Sequence, residues 1–376
     1  MKFAVQQEAL QRGLNIVGRA VAIRSTLPQT SHILLSAEGD QLKLAATNLE
    51  IAVTSWVGAR VEEPGAITIP ARLLTEFVSS LPPAEIEFSV ASRSRQAQIV
   101  CARNEASISG MDADDFPPIP SISGGDSIRL EPKALREAVE HVVFAAATDD
   151  SRPVLTGVQI KIEEGRLILA GADGFRLAVY HLDIAELPSE AIEIIVPARA
   201  LQELGRLLPD QVEPVVLQLN SARSQVLLKL SDVELTTQLI QGTFPSYQQL
   251  IPSEYQTRAT VEAGEFLREV KTAAVFARDG SGIVRVMLSP NEGGGGRVTV
   301  SARAEEQGEH EGQMDAAIEG EEARIAFNSR YLQDVLQVLG DEEFALETTG
   351  PSNPGVFRPS GRENYVHVIM PMFVQW

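Results

Sequence analysis

Asp112, Asp114 and Asp115 form a knot of potential metal ligands in this chain, and Asp149 with Asp150 is a smaller one. Carboxylates this close could hold a divalent cation, yet neither group offers the ligand spacing of a known cage. The competing reading, a solvated loop face that caps short turns, is favoured by that missing spacing. The five histidines, His32, His141, His181, His310 and His367, are scattered, with no H-E-x-x-H or C-x-x-C in the chain, so no zinc site is expected. Ser281 stands in Asp279-Gly-Ser-Gly, which is not the G-x-S-x-G elbow of a hydrolase. Gly293–Gly296 lacks the lysine and following helix of a phosphate-cradling loop and reads as a hairpin tip. No nucleophile is matched with a base, so the chain reads as a scaffold and not an enzyme, with no metal and no cofactor.

Cations are the remaining candidates. Six helix-like stretches carry Arg12 and Arg19, Arg72, Lys133 and Arg136, Arg199 and Arg206, Arg268, Lys271 and Arg278, and Arg330. Acids such as Glu8, Glu76, Glu140 and Glu203 interleave with them, so these stretches are mixed and not polybasic. The net charge of −19 would argue against a nucleic-acid partner if it were spread evenly. It is not: much of the acid surplus lies in loops and in the last third, at Glu305, Glu306, Glu309, Glu311, Glu319, Glu321 and Glu322. Two readings stand. The cations are ordinary solvated helix faces, or they line a common lumen and follow phosphates without reading bases.

The elements that must position these residues are written three times. AITIPARLLTEFVSSL (66–81), EIIVPARALQELGRLL (193–208) and RIAFNSRYLQDVLQVL (324–339) each join a β-branched run to a helix start and an apolar helix pattern, with Pro70, Pro197 and Asn328 at the helix starts. Each third also opens on an amphipathic helix: Leu10, Leu14, Val17 and Val21; then Leu135, Val139, Val142 and Val143 behind Pro132; then Phe266, Leu267, Val270 and Ala274. Alternating strands follow each one. The expected class is α+β, three domains of two helices and two small antiparallel sheets each, at residues 1–122, 126–252 and 256–376. The 376 residues suffice for three cores. Only Cys101 is present, so no internal disulfide can form, and a reducing cytoplasm is expected. The N-terminus lacks an apolar h-region, so no signal peptide is expected.

Five motifs in order carry a resemblance: Arg24-Ser-Thr-Leu-Pro, Pro70-Ala-Arg, Gly171-Ala-Asp-Gly-Phe-Arg-Leu-Ala-Val, Gly242-Thr-Phe-Pro-Ser-Tyr and Val368-Ile-Met-Pro-Met. Over essentially its whole length the chain resembles the bacterial DNA polymerase III beta subunits, the sliding clamps. The resemblance implies the DNA-clamp fold and a head-to-tail homodimeric ring around double-stranded DNA. It implies partners that carry clamp-binding peptides: the polymerase III catalytic subunit, the clamp loader, and other polymerases and repair proteins. The alternative from a different class is a repeat-built peptide-binding scaffold that never encircles DNA.

Carried over residue by residue, the resemblance places a partner-peptide pocket at Arg152, Leu155, Ala172, Gly174, Phe175, Arg176, Leu177, Pro245, Gln249, Leu250, Val368, Ile369, Met370, Pro371 and Met372. It places DNA contacts at Arg24 and Arg152, and the basic helix residues Arg199, Arg12, Arg136 and Lys271 join them as candidates. It places the dimer interface at Arg103 and Ile108 on one side and at Val275, Phe276, Glu305 and Glu306 on the other. Phe175 and Gln249 depart from the family pattern, which often has histidine and arginine there.

Overall fold

The structure is a computed structural model and describes residues 1–22, 27–91, 95–122, 124, 127–185, 188, 191–277, 282–293, 295–304 and 308–375. Arg24, Arg278, Ser281, Glu305, Glu306 and Trp376 lie outside the described residues.

Among the described residues six α-helices are formed: α1 Gln7–Val17, α2 Ala71–Ser80, α3 Pro132–Val142, α4 Ala198–Leu207, α5 Ala263–Phe276 and α6 Ser329–Leu339. Their apolar stripes are buried as the periodicity requires, with Leu10, Leu14 and Val17 on α1, Leu135, Val139 and Val142 on α3, and Phe266 and Val270 on α5. Val21 is a correction, since α1 stops at Val17 and a short 3-10 turn carries the chain to an extended Val21. Pro132 is the first residue of α3, where its missing N–H costs nothing. Pro70 instead sits one residue before α2, with no side-chain cap. Asn328 caps α6 properly, its side chain accepting from the Arg330 N–H.

Among the described residues three antiparallel sheets carry the strands. A five-stranded sheet runs Arg60–Glu63, Lys2–Gln6, Glu85–Val90, Gln96–Cys101 and Asn104–Ser109, so the last strand is an edge. An eight-stranded sheet runs Ser127–Leu130, Val215–Leu219, Gln225–Lys229, Val233–Gln238, Ile51–Gly58, Gln41–Thr47, His32–Glu38 and Gly65–Pro70. A twelve-stranded sheet takes Glu193–Pro197, Gly157–Glu163, Arg166–Ala172 and Arg176–Asp183 from the middle third and eight strands from the last. The expectation of two separate small sheets per third is therefore corrected. Val233–Gln238 pairs with Ile51–Gly58, and Arg176–Asp183 pairs with Tyr365–Ile369, so half-sheets from successive thirds fuse. Pairing removes edges that would otherwise be open to other chains. Gly293 lies in the turn of the hairpin formed by Ile283–Pro290 and Gly295–Ala304, while Gly295 and Gly296 already belong to the second strand.

The fusion also explains how the chain clusters into two compact units. One is mainly Met1–Lys133 with Arg199–Leu239, the other mainly Ala134–Ala185 with Ile240–Trp376. Each has its own core: Phe3 stacks on Phe88 at 4.8 Å in the first, and Phe344 lies between Phe266 and Phe357 at 5.9 and 5.8 Å in the second.

Candidate functional site: an apolar cavity at the Asp173 turn

The strands Arg166–Ala172 and Arg176–Asp183 are joined by Asp173, Gly174 and Phe175. Asp173 Oδ1 accepts the N–H groups of Phe175 at 2.8 Å and Arg176 at 3.0 Å, which closes the turn. Gly174 has φ +91°, a conformation that glycine adopts without strain, and a Cβ there would meet Nη1 of Arg152 at 2.2 Å and displace that guanidinium. Arg152 lies over this glycine and donates to the Asp173 carbonyl at 2.7 Å. Phe175 is thereby turned outward and is 56% exposed.

Leu155, Leu177, Phe244, Tyr247 and Val368 are buried behind the turn. With Ala172, Pro245, Leu250 and Met370 they surround a cavity of about 200 Å³. The sheet sets this arrangement: Leu177 stands opposite Val368, and the Met370 N–H donates to the Phe175 carbonyl at 2.8 Å. At the rim, Leu250 is 54% and Met370 41% exposed, so the mouth as well as the floor is apolar. Exposed apolar surface of this kind marks interaction sites. A leucine- or phenylalanine-sized side chain buried here would gain about 1.5–3 kcal/mol, and methionine lets the rim adapt to varied shapes.

Arg176 borders the cavity but is 9% exposed, and its guanidinium is fully engaged. Nε donates to Asp173 Oδ2 at 3.1 Å, Nη1 to Asp334 Oδ2 at 2.6 Å and Nη2 to the Phe144 carbonyl at 2.6 Å. It also stacks on the Tyr331 ring at 4.5 Å. Such a planar fork can meet several partners at once where a lysine could not. Its role in this geometry is to fix the turn.

Not every residue carried over from the resemblance meets this cavity. Gln249 is exposed on the short turn Gln248–Leu250 and does not line it. Ile369 is fully buried within the sheet. Pro371 and Met372 continue past the rim, where the Met372 N–H donates to the Ala326 carbonyl at 2.7 Å. Phe244 and Tyr247 were missed, although both lie in the quoted Gly242-Thr-Phe-Pro-Ser-Tyr motif. Their signal was an aromatic pair three residues apart, which here forms an edge-on contact at 6.3 Å.

The candidate phosphate contacts are exposed on four helices: Arg12 on α1, Arg136 on α3, Arg199 on α4 and Lys271 on α5. Arg136 is held by Glu140 at 2.7 Å, while Arg12, Arg199 and Lys271 form no ion pair among the described residues. Ile108 is on the edge strand Asn104–Ser109, and Arg103 is exposed in the turn before it. Val275 is exposed near the end of α5, and Phe276 stacks on His310 at 5.7 Å.

The aspartate groups act as turn caps. Asp112 Oδ1 accepts from the Asp114 N–H, and Asp149 Oδ1 from the Ser151 N–H and hydroxyl. Hydrogen bonds from the Ser151 hydroxyl and then its backbone hold the Asp149 carboxyl below its ordinary range. Among the described residues no group of three or more His, Cys, Asp or Glu could hold a metal ion. Likewise, no helix among them is long and apolar enough to cross a membrane.

Models of the DNA polymerase III beta subunit match the chain in order: the N-terminal domain over residues 1–120, the central domain over 129–246 and the C-terminal domain over 248–373. The chain belongs to the DNA polymerase III beta subunit family. Within the family it is 33% identical to the beta sliding clamp of Synechocystis over 391 residues, 99% of each chain. The crystal structure of the sliding clamp from Bacillus subtilis superposes with a TM-score of 0.93 at 29% identity, over all of both chains. That of the Pseudomonas aeruginosa sliding clamp, bound to griselimycin, superposes at 0.92 and also 29%. The fold is thus the three-part clamp fold, shared across the family's full length.

Proposed function

We propose that this chain is a DNA sliding clamp: a non-catalytic subunit that encircles duplex DNA and tethers the replicative polymerase. The observation that carries this reading is the ordered match of all three beta-subunit segments across residues 1–373. Two chains would close head to tail, the edge strand bearing Ile108, with Arg103, meeting the Val275, Phe276, Glu305 and Glu306 side of the second copy. Such a heterologous contact closes when the second copy completes the rotation. The three domains per chain are taken as residues 1–122, 126–252 and 256–376.

Function in this account is topological. Arg12, Arg136, Arg199 and Lys271, with Arg24 and Arg152, would follow phosphates through weak, screened contacts that allow sliding. Retention comes from enclosure, so a chain of net charge −19 needs no large basic patch. The apolar cavity at Phe175 would take a hydrophobic side chain of a linear peptide from the polymerase, the clamp loader or other DNA-processing proteins. Its pocket would comprise Leu155, Ala172, Gly174, Phe175, Arg176, Leu177, Pro245, Leu250, Val368 and Met370, framed by Arg152, Gln249, Ile369, Pro371 and Met372. Tethering then raises the effective concentration of the polymerase at the primer end without any catalytic contact. The work is done in the bacterial cytoplasm.

Primer extension tests this directly. With clamp loader and polymerase III core, adding the protein should lengthen the product of a single binding event. Product lengths unchanged by the protein would contradict the reading.

A further inference from the structure

We propose that the first compact unit carries a second peptide cavity, built on the same turn as the Phe175 site, that takes a lysine or arginine side chain. The strands Gln41–Thr47 and Ile51–Gly58 are joined by Asn48, Leu49 and Glu50, three residues as at Asp173–Phe175. Asn48 Oδ1 accepts the N–H groups of Glu50 at 3.0 Å and Ile51 at 2.8 Å, just as Asp173 Oδ1 serves Phe175 and Arg176. Leu49 has φ +77° where Gly174 has +91°. The Gln238 N–H donates to the Glu50 carbonyl at 3.1 Å, matching Met370 and Phe175. Ala52 faces Thr236 across the sheet as Leu177 faces Val368. The sequence repeats Phe-Pro at Phe116-Pro117 and Phe244-Pro245, and Pro117 lines a cavity of about 250 Å³ beside the Asn48 turn as Pro245 lines the other.

The framework repeats while the lining changes character. Glu50 replaces Phe175, Thr236 replaces Val368 and Gln238 replaces Met370. Three apolar positions have become polar: Thr236 and Gln238 can accept as well as donate, and Glu50 is a charged group that only accepts. Leu49, Ala52 and Pro117 keep an apolar wall. An aliphatic stem on that wall with a cationic head at the acceptors is the form of lysine and arginine. Leu49 sharpens the case: a bulky residue held at positive φ stores strain of order 1–3 kcal/mol, and such strain clusters at ligand clamps. Its side chain is 48% exposed at the mouth. The occupant is therefore a short extended peptide with a basic residue, and this stands whatever the Phe175 cavity binds.

The probe is Ac-Ala-Leu-Lys-Leu-Ala-amide, with Ac-Ala-Leu-Glu-Leu-Ala-amide as control, titrated into full-length protein carrying ¹³C-labelled Leu and Ile methyls. The lysine peptide should shift the Leu49 and Ile51 methyls and the glutamate peptide should not. Glu50→Gln should weaken that response about fivefold, the worth of one exposed ion pair. Leu49→Gly, which keeps the turn, should weaken it as well, and Phe175→Ala should leave it intact. Silent Leu49 and Ile51 methyls, equal response to both peptides, or indifference to Glu50→Gln would each overturn the proposal. The methyl spectrum of each variant reports its folding, and the Leu155 and Leu250 methyls report the other cavity separately.

Discussion

Arg176 Nη1 donates to Asp334 Oδ2 at 2.6 Å, which ties the strand Arg176–Asp183 to helix α6. The same guanidinium holds Asp173 and the Phe144 carbonyl, so one side chain joins the turn of the apolar cavity to elements from both the middle and the last third. Arg176→Ala removes the side-chain donor of Asp173 Oδ2, Asp334 Oδ2 and the Phe144 carbonyl, and the cation that balances the two partly buried carboxylates. It should destabilise the protein by about 3–5 kcal/mol, as breaking a buried pair does. Urea unfolding measures this, and a loss under 1 kcal/mol would show that the clamp contributes little.

The cavity itself predicts a separable defect. Met370→Asp places a charge on an apolar rim and should weaken capture of a polymerase-derived peptide more than tenfold, by fluorescence anisotropy, because burying an unpaired charge is costly. Deleting Met370–Trp376 should abolish capture while the dimer survives in sedimentation. Normal capture by the truncated protein would mean that the peptide binds elsewhere.

His367 is fully buried among Phe144, Phe357 and Tyr365, and among the described residues neither ring nitrogen has a hydrogen-bond partner. Burial first, then the charge of Arg176, holds its imidazole well below the ordinary value of 6.5. The folded protein keeps it neutral where the unfolded chain takes up a proton. Its contribution is therefore fully present above about pH 6.5 and is lost as pH falls below that value toward the depressed one. His141, lowered by burial, acts in the same direction. His367→Phe should match or exceed the parent at pH 8, since an unsatisfied buried polar group costs about 1–3 kcal/mol. It should also lose less stability at pH 5.5. An unchanged acid slope in chemical denaturation would exclude His367 as a source.

Much of this architecture was legible in the sequence, for identifiable reasons. The three helix-start copies at Pro70, Pro197 and Asn328 read clearly because capping and apolar periodicity are local. The fusion of half-sheets was not legible, because the pairing of Val233–Gln238 with Ile51–Gly58 is set by contacts far apart in the chain. The turn at Gly174 could be read from its motif, but the engagement of Arg176 by Asp334 could not, since nothing local links the two. The repeat of the Asp173 turn at Asn48 was hidden by chemistry: leucine at positive φ does not announce the turn that glycine does.

Lys271 tests the phosphate-tracking role. It is exposed on α5 with no ion pair among the described residues, so Lys271→Ala should cost little stability. It should reduce the slope of log affinity against log salt for duplex DNA by about 0.9. Peptide capture should be unaffected. An unaltered slope would place Lys271 away from the duplex.

The central claim is enclosure, and retention on DNA of different topology tests it most directly. After loading onto nicked circular DNA by a clamp loader, the protein should stay bound through gel filtration at high salt. It should be lost when a single restriction cut linearises that circle. Equal loss from circular and linear DNA would contradict encirclement and leave only ordinary electrostatic binding.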